Sequence, residues 1–125
     1  MTVALPTKIH LDEKFDRIDE HWRPRVAASL NGQELKLVKI QGEFPWHHHE
    51  HEDEMFLVWR GSIRLEFRDG SVALGPGEAL VVPKGVEHRP VAKEEAEVLL
   101  FEPSGVRNTG NVEDEAYTAP QGATI

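Results

Sequence analysis

The chain has no cysteine among its 125 residues, which excludes disulfides, thiolate zinc sites and cysteine nucleophiles together. That absence fits a reducing compartment, and the cytoplasm is the expected location. Long apolar runs are missing too, and no stretch approaches the length of a membrane span. The opening residues, MTVALPTKIH, lack a basic start followed by an apolar run, so no secretory signal is read there. Basic charge is scarce: 14 Lys and Arg stand against 22 Asp and Glu, for a net charge of -8. Scattered cations on an acidic chain argue against nucleic acid as a partner. There is no Ser/His/Asp arrangement, no phosphate-cradling glycine loop and no paired-carboxylate hydrolase pattern.

Helical periodicity is confined to one stretch. Leu11, Phe15 and Ile18 recur at i, i+4 and i+7, with Asp12 placed to cap the first turn. A helix this short needs a sheet to dock on, and Trp22 and Pro24 end it. Residues 1–24 therefore read as an N-terminal segment carrying one short helix.

From Arg25 the pattern is that of strands. Asn31-Gly32 is a hairpin signal between Val26–Leu30 and Glu34–Ile40. In the second of these, Leu35 and Leu37 share one face while Val38 and Ile40 share the other, which calls for a bulge or for burial on both faces. Met55–Arg60 follows, then Ile63, Leu65 and Phe67 alternating with polar residues, then a turn at Asp69-Gly70. Val72–Leu74, Ala79–Val82, His88–Val91 and Ala96–Phe101 complete the set, the last two separated by an acidic turn. Short strands at regular spacing, punctuated by Gly and Pro, predict an all-β sandwich or barrel over residues 25–103. Residues 104–125 turn polar and irregular, and are expected to form a tail packed on the barrel or on a partner subunit.

The chemistry concentrates in Trp46–Gly61, WHHHEHEDEMFLVWRG, where four of the seven histidines fall within five positions. Imidazole nitrogen and carboxylate oxygen are the usual ligands of Zn, Fe, Mn, Ni or Co. His47 and His49 point the same way along an extended chain and can chelate one ion, while His48 points away with Trp46. Glu54 has the wrong parity for an unbroken strand, so a turn through Glu50–Asp53 is expected to reset it. Glu54, Phe56 and Val58 then face inward, and Met55, Leu57 and Trp59 face outward and need a cover, either a second sheet or another subunit, of which the dimer face is preferred. His88, just beyond the turn Pro83-Lys84-Gly85, is the fourth candidate ligand. His51, Trp46 and Phe56 are candidates for supporting or pocket-lining roles. His10 and His21 are read as solvated surface residues.

These motifs resemble those of the cupins. That family's first motif appears as Gly42, His47-x-His49, four residues, Glu54, six residues and Gly61, and its second as Gly77, five residues, Pro83-x-Gly85, two residues and His88. Two departures stand out. Four residues separate Gly42 from His47 where the family has five, and Ala92 holds the place of a terminal Asn. His49 and His51 also form an HxH pair, but it leaves only two residues before Glu54, so the His47 register is preferred. The resemblance implies a small single-domain jelly-roll (double-stranded β-helix) barrel of two antiparallel sheets. Inside it, one divalent metal ion per chain would be held by His47, His49, Glu54 and His88, with two coordination positions open. It implies either a metal-dependent enzyme acting on a small polar molecule, by dioxygenase-type oxidation or by sugar or keto-acid isomerisation, or a non-catalytic ion- or ligand-binding module. A small-molecule ligand and a homodimer are the expected partners, with neither membrane nor nucleic acid.

Overall fold

The computed structural model describes residues 4–125, so the first three residues of the N-terminal segment lie outside the described part. A short helix α1 (Leu11–Asp16) precedes seven strands: β1 (Arg25–Leu30), β2 (Gln33–Glu43), β3 (Glu54–Arg60), β4 (Ile63–Phe67), β5 (Gly70–Leu74), β6 (Ala79–Val82) and β7 (His88–Pro103). All named strand pairs are antiparallel, and the chain is a jelly-roll-like β-barrel.

The acidic turn expected between the last two strands does not exist. Lys93–Glu97 continues a single strand, β7, of 16 residues. The ladder with β2 runs from Ile40↔Ala96 to Gly42↔Ala92, so residues 93–95 of β7 bulge against Gln41 alone. This bulge turns a corner. Before it, β7 pairs with β4, and after it with β3, while β2 follows both halves. The two sheets are thus halves of one sheet folded on β7, in the order β1-β2-β7-β3-β6 with β4-β5 branching from β7.

The parity change in β2 is explained by burial on both faces rather than by a bulge at that point. Val38 and Ile40 face the barrel interior with Phe56, Val58 and Val98. Leu37 faces outward with Leu99, under Phe15 and Ile18 from the N-terminal segment. Phe15 is fully buried there, a contribution of about 1.5–3 kcal/mol. The same segment covers part of the outer face of β3, because Leu57 packs in this cluster and Trp59 Nε1 donates to Asp12 Oδ1 at 2.7 Å. The cover expected from a second subunit is therefore supplied in part by the chain itself. Asp12, occupied in this way, does not cap the helix. His10 does, its Nδ1 accepting from the Glu13 N–H at 3.2 Å. His21, on the surface, meets Glu95 at 2.7 Å.

Residues 104–125 wrap the barrel. Near the C-terminus the chain bonds the free edge of β1, with Val26 N–H donating to Ala123 O at 2.7 Å and Ile125 N–H to Val26 O at 3.1 Å. Earlier, the stretch around Gly110 lies across the histidine loop, where Asn111 N–H donates to His48 O and Asn111 Oδ1 accepts from His48 N–H at 2.9 Å. We call residues 104–119 the strap.

Candidate metal centre

Residues 47–53 are not a strand, although His47 makes a two-way backbone bridge with His88, with N–H···O distances of 3.0 and 2.9 Å. That bridge brings the two histidine motifs together. The chain then turns through Glu50–Asp53, where Asp53 Oδ1 accepts from the Lys84 N–H at 2.8 Å and ties the turn to Pro83-Lys84-Gly85. It enters β3 with Glu54 facing inward, at 3% exposure. His49 is buried on the same side and His48 is half-exposed.

One ligand atom from each of His47, His49, Glu54 and His88 lies within 4.8 Å of the others, and all four residues are buried. His49 Nε2, Glu54 Oε1 and His88 Nε2 are buried without a hydrogen-bond partner. Burying three polar atoms unpaired costs about 1–3 kcal/mol each, and a cation shared among them removes that cost. Two of the Nδ1 atoms are already engaged. His47 Nδ1 is 2.9 Å from Pro45 O, and His88 Nδ1 is 2.9 Å from Val86 O. A carbonyl only accepts, so each Nδ1 carries the proton and each Nε2 presents a lone pair to the centre. The donor set fits a divalent ion bound by three imidazoles and a carboxylate.

The electrostatics agree. Burial would raise the Glu54 pKa, but His49, His88 and Glu102 close around the carboxyl hold it well below the usual range, so it is ionised. Burial, and next the negative Glu54 beside it, push the Glu102 carboxyl up to about 10 against the pull of Lys36. Burial, and next the neighbouring His88, push the His47 imidazole down to about 4. Without an ion, the unfolded chain takes up a proton at this histidine near pH 6.5 and the folded chain only near pH 4. The contribution of neutral His47 to stability is therefore complete above about pH 6.5. It is lost as pH falls towards 4, by about 3 kcal/mol over the whole window. In chelator, urea unfolding at pH 7 and pH 4.5 should show wild type losing about 2 kcal/mol more than His47→Gln. Equal losses would refute the assignment of a neutral His47.

Beside the ligands lies a recess of about 30 Å³, room for one or two waters. His47 and Glu54 line it, and its walls are mostly apolar, including Ile40, Phe44, Phe56 and Leu100. Trp22 from the N-terminal segment, its ring tilted on Phe44 at 4.7 Å, and Asn108 of the strap also line it, with Tyr117 packed behind Trp22 and Phe44. Asn108 is already committed, donating to Tyr117 O at 2.8 Å and accepting from the Ala119 N–H at 2.9 Å. A wider cleft of about 320 Å³ runs between residues 49–52 and the strap, but touches only His49 of the four.

Of the supporting candidates, Phe56 lines the recess. His51 is exposed on the rim of the outer cleft. Trp46 does not line the recess. Its ring is covered by the Arg68 guanidinium at 3.9 Å, with Arg89 at 5.0 Å, and it pins the histidine loop from outside. Asn108 and Tyr117 were not legible as site residues, because nothing in an irregular tail marks where it will land, and Trp22 was read only as a helix end. Lys36 did leave a signal, as a charged residue inside a predicted strand, whereas Glu102 fell just beyond one.

The family model described as the cupin domain matches residues 35–104. A cupin-2 domain containing protein from Shewanella frigidimarina is 47% identical, with 76% of this chain and 93% of that one covered at a TM-score of 0.75. Protein NMB1881 from Neisseria meningitidis is 33% identical, with 78% and 100% covered at a TM-score of 0.72. Among curated proteins, the uncharacterized protein YdbB of Bacillus subtilis is 36% identical over 63 residues, which are 50% of this chain and 56% of that protein.

Proposed function

The chain belongs to the cupin family, and on that premise we propose that it is a metal-dependent enzyme that oxidises a small molecule in a dioxygenase-type reaction. The observation that carries this reading is the poverty of the recess. Among the described residues, and apart from the candidate ligands, the one polar residue lining it besides Trp22 is Asn108, whose amide is spent on the strap. Isomerising a sugar or keto acid needs a general acid or base within hydrogen-bond reach of a carbon-bound proton, and none of the described residues lining the recess is a spare group of that kind. Oxidation asks less of the protein. A redox-active ion such as iron or manganese supplies electron transfer with dioxygen and open positions for substrate oxygen atoms.

The side chains then have three tasks. His47 and His88, their rings fixed by Pro45 O and Val86 O, keep the ligand set rigid. Phe44, Phe56 and Ile40 exclude water from the recess and pack the substrate body. Trp22, backed by Tyr117, bounds a recess of about 30 Å³, so admission of anything larger than water requires the side chains around it to move. The substrate that suits this site is polar at the end that meets the ion and apolar elsewhere.

The small recess also favours a second reading, an ion-binding module without turnover. Oxygen uptake by iron-loaded protein across catechols, β-diketones and 2-hydroxy ketones separates the two. Uptake that depends on both iron and substrate is the expected result, and none across the panel with the ion bound would favour the module. The homodimer stays within this proposal, on the outer face that α1 leaves bare, where Val81 is 52% exposed beside Met55. A cytoplasmic location stays within it as well. No described helix is long and apolar enough to cross a membrane.

A further inference from the structure

We infer that Lys36 and Glu102 are positioning residues for Glu54, their buried pair bracing that carboxylate towards His49 and His88. This rests on the metal reading above. Glu34 pairs with Glu102 across β2 and β7, and Met55 pairs with Phe101 across β3 and β7. Glu34, Glu102 and Glu54 therefore form one row on the inner face of the barrel, with Lys36 two residues along β2 on the same face. Glu102 is 2% exposed and Lys36 6%. Lys36 Nζ donates to Glu102 Oε1 at 2.8 Å, lies 3.8 Å from Glu34 Oε1 and donates to Val106 O at 3.4 Å.

Stability does not account for charge at these positions. Burying an amine against carboxyl groups costs about as much as their pairing returns, and apolar side chains of similar volume often serve a fold as well or better. Two rows along the same inner face the pairing is Val38–Val98–Val58, all apolar. What distinguishes the charged row is Glu54. The register of β3 with β7 sets Glu102 beside Glu54 on that face, and Lys36 holds Glu102 through its Oε1. Glu54 Oε1 is 3.3 Å from His49 Nε2 and 3.5 Å from His88 Nε2. A ligand backed by a fixed neighbour keeps that aim when its own rotamers would let it swing.

The packing of Glu102 can be separated from its acidity. In Glu102→Gln the shape is kept, the amide oxygen still accepts from Lys36, and the amide N–H can donate towards Glu54. Glu102→Leu loses both contacts, and Lys36→Met leaves Glu102 unheld. Zinc dissociation constants from competition with a fluorescent chelator, and the visible bands of the cobalt-loaded proteins, read the effect directly. Glu102→Gln should bind zinc within about threefold of wild type, with unchanged cobalt bands. Glu102→Leu and Lys36→Met should bind about ten- to a hundredfold more weakly, with shifted bands. If Glu102→Leu does not fold, Lys36→Met carries the test. Wild-type affinity and bands in the apolar variants, whatever their melting temperatures, overturn the inference. Wild-type protein that binds neither ion overturns the metal reading itself, and this inference with it.

Discussion

Replacing His49 and His88 together by alanine should take the protein from about one bound divalent ion per chain to less than about a tenth of one. Two of the four buried ligands are removed, and the two that remain cannot enclose an ion against competition from water. Plasma mass spectrometry on protein purified without a His-tag or nickel column makes the comparison. The folded state should survive. Each alanine leaves a cavity worth about 2–5 kcal/mol by analogy with other large-to-small core changes, but each also removes a buried nitrogen that has no partner in the ion-free protein. That credit is about 1–3 kcal/mol. The contrast with wild type appears on adding metal, since an ion at a thousand times its dissociation constant adds about 4 kcal/mol to whichever chain binds it. Melting curves with and without zinc should therefore diverge for wild type and coincide for the double variant. A variant that still carries a full equivalent would dismiss these histidines as ligands.

The second large effect is expected at Gly110, far from any ligand in the sequence. A Cβ at this position would stand 2.2 Å from His48 O and 3.1 Å from His47 Cδ2. The backbone there also has φ +57, which costs a non-glycine residue about 1–2 kcal/mol. Backbone cannot yield as a flexible side chain can, so Gly110→Val must lift the strap off the histidine loop. The bonds between Asn111 and His48 would go with it, and Tyr117 would leave its place behind Trp22 and Phe44. We expect a loss of about 3–5 kcal/mol in urea unfolding, combining strain and overpacking. Hydrogen exchange should rise across residues 104–119, and trypsin should cut sooner at Arg107. Gly105→Ala provides the control: it has φ +83 but nothing within 4 Å of the added carbon, so it should lose about 1 kcal/mol. Equal stability of the two variants would show that the strap does not bear on the loop.

The features legible in the sequence were those whose physics is local. Four candidate ligands at fixed spacing and the inward parity of Glu54, Phe56 and Val58 follow from the pleat and from ligand chemistry. So does the turn at Asn31-Gly32, where both residues have positive φ. Lys93–Glu95 was misread because a charged, polar run looks like a turn. Only the pairing of one strand with three others shows that such residues can sit on a bulged corner with their heads in water. The path of the strap had no local cause at all: Thr109 and Ala119 are buried by what the barrel offers them, not by any periodicity of their own. The charges of Glu34 and Lys36 were visible, but only the register of β2 with β7 shows what they face.

The backbone bridge between His47 and His88 has a mechanical consequence. It joins segments separated by a loop of roughly forty residues, and an ion held by both histidines would tie that loop shut. In a chain with no cysteine, the ion would then do what a disulfide does elsewhere, as a crosslink that can be withdrawn. Unloaded copies would open more readily and be cleared sooner by proteases. The amount of protein present would then follow the supply of metal, without any change in its synthesis.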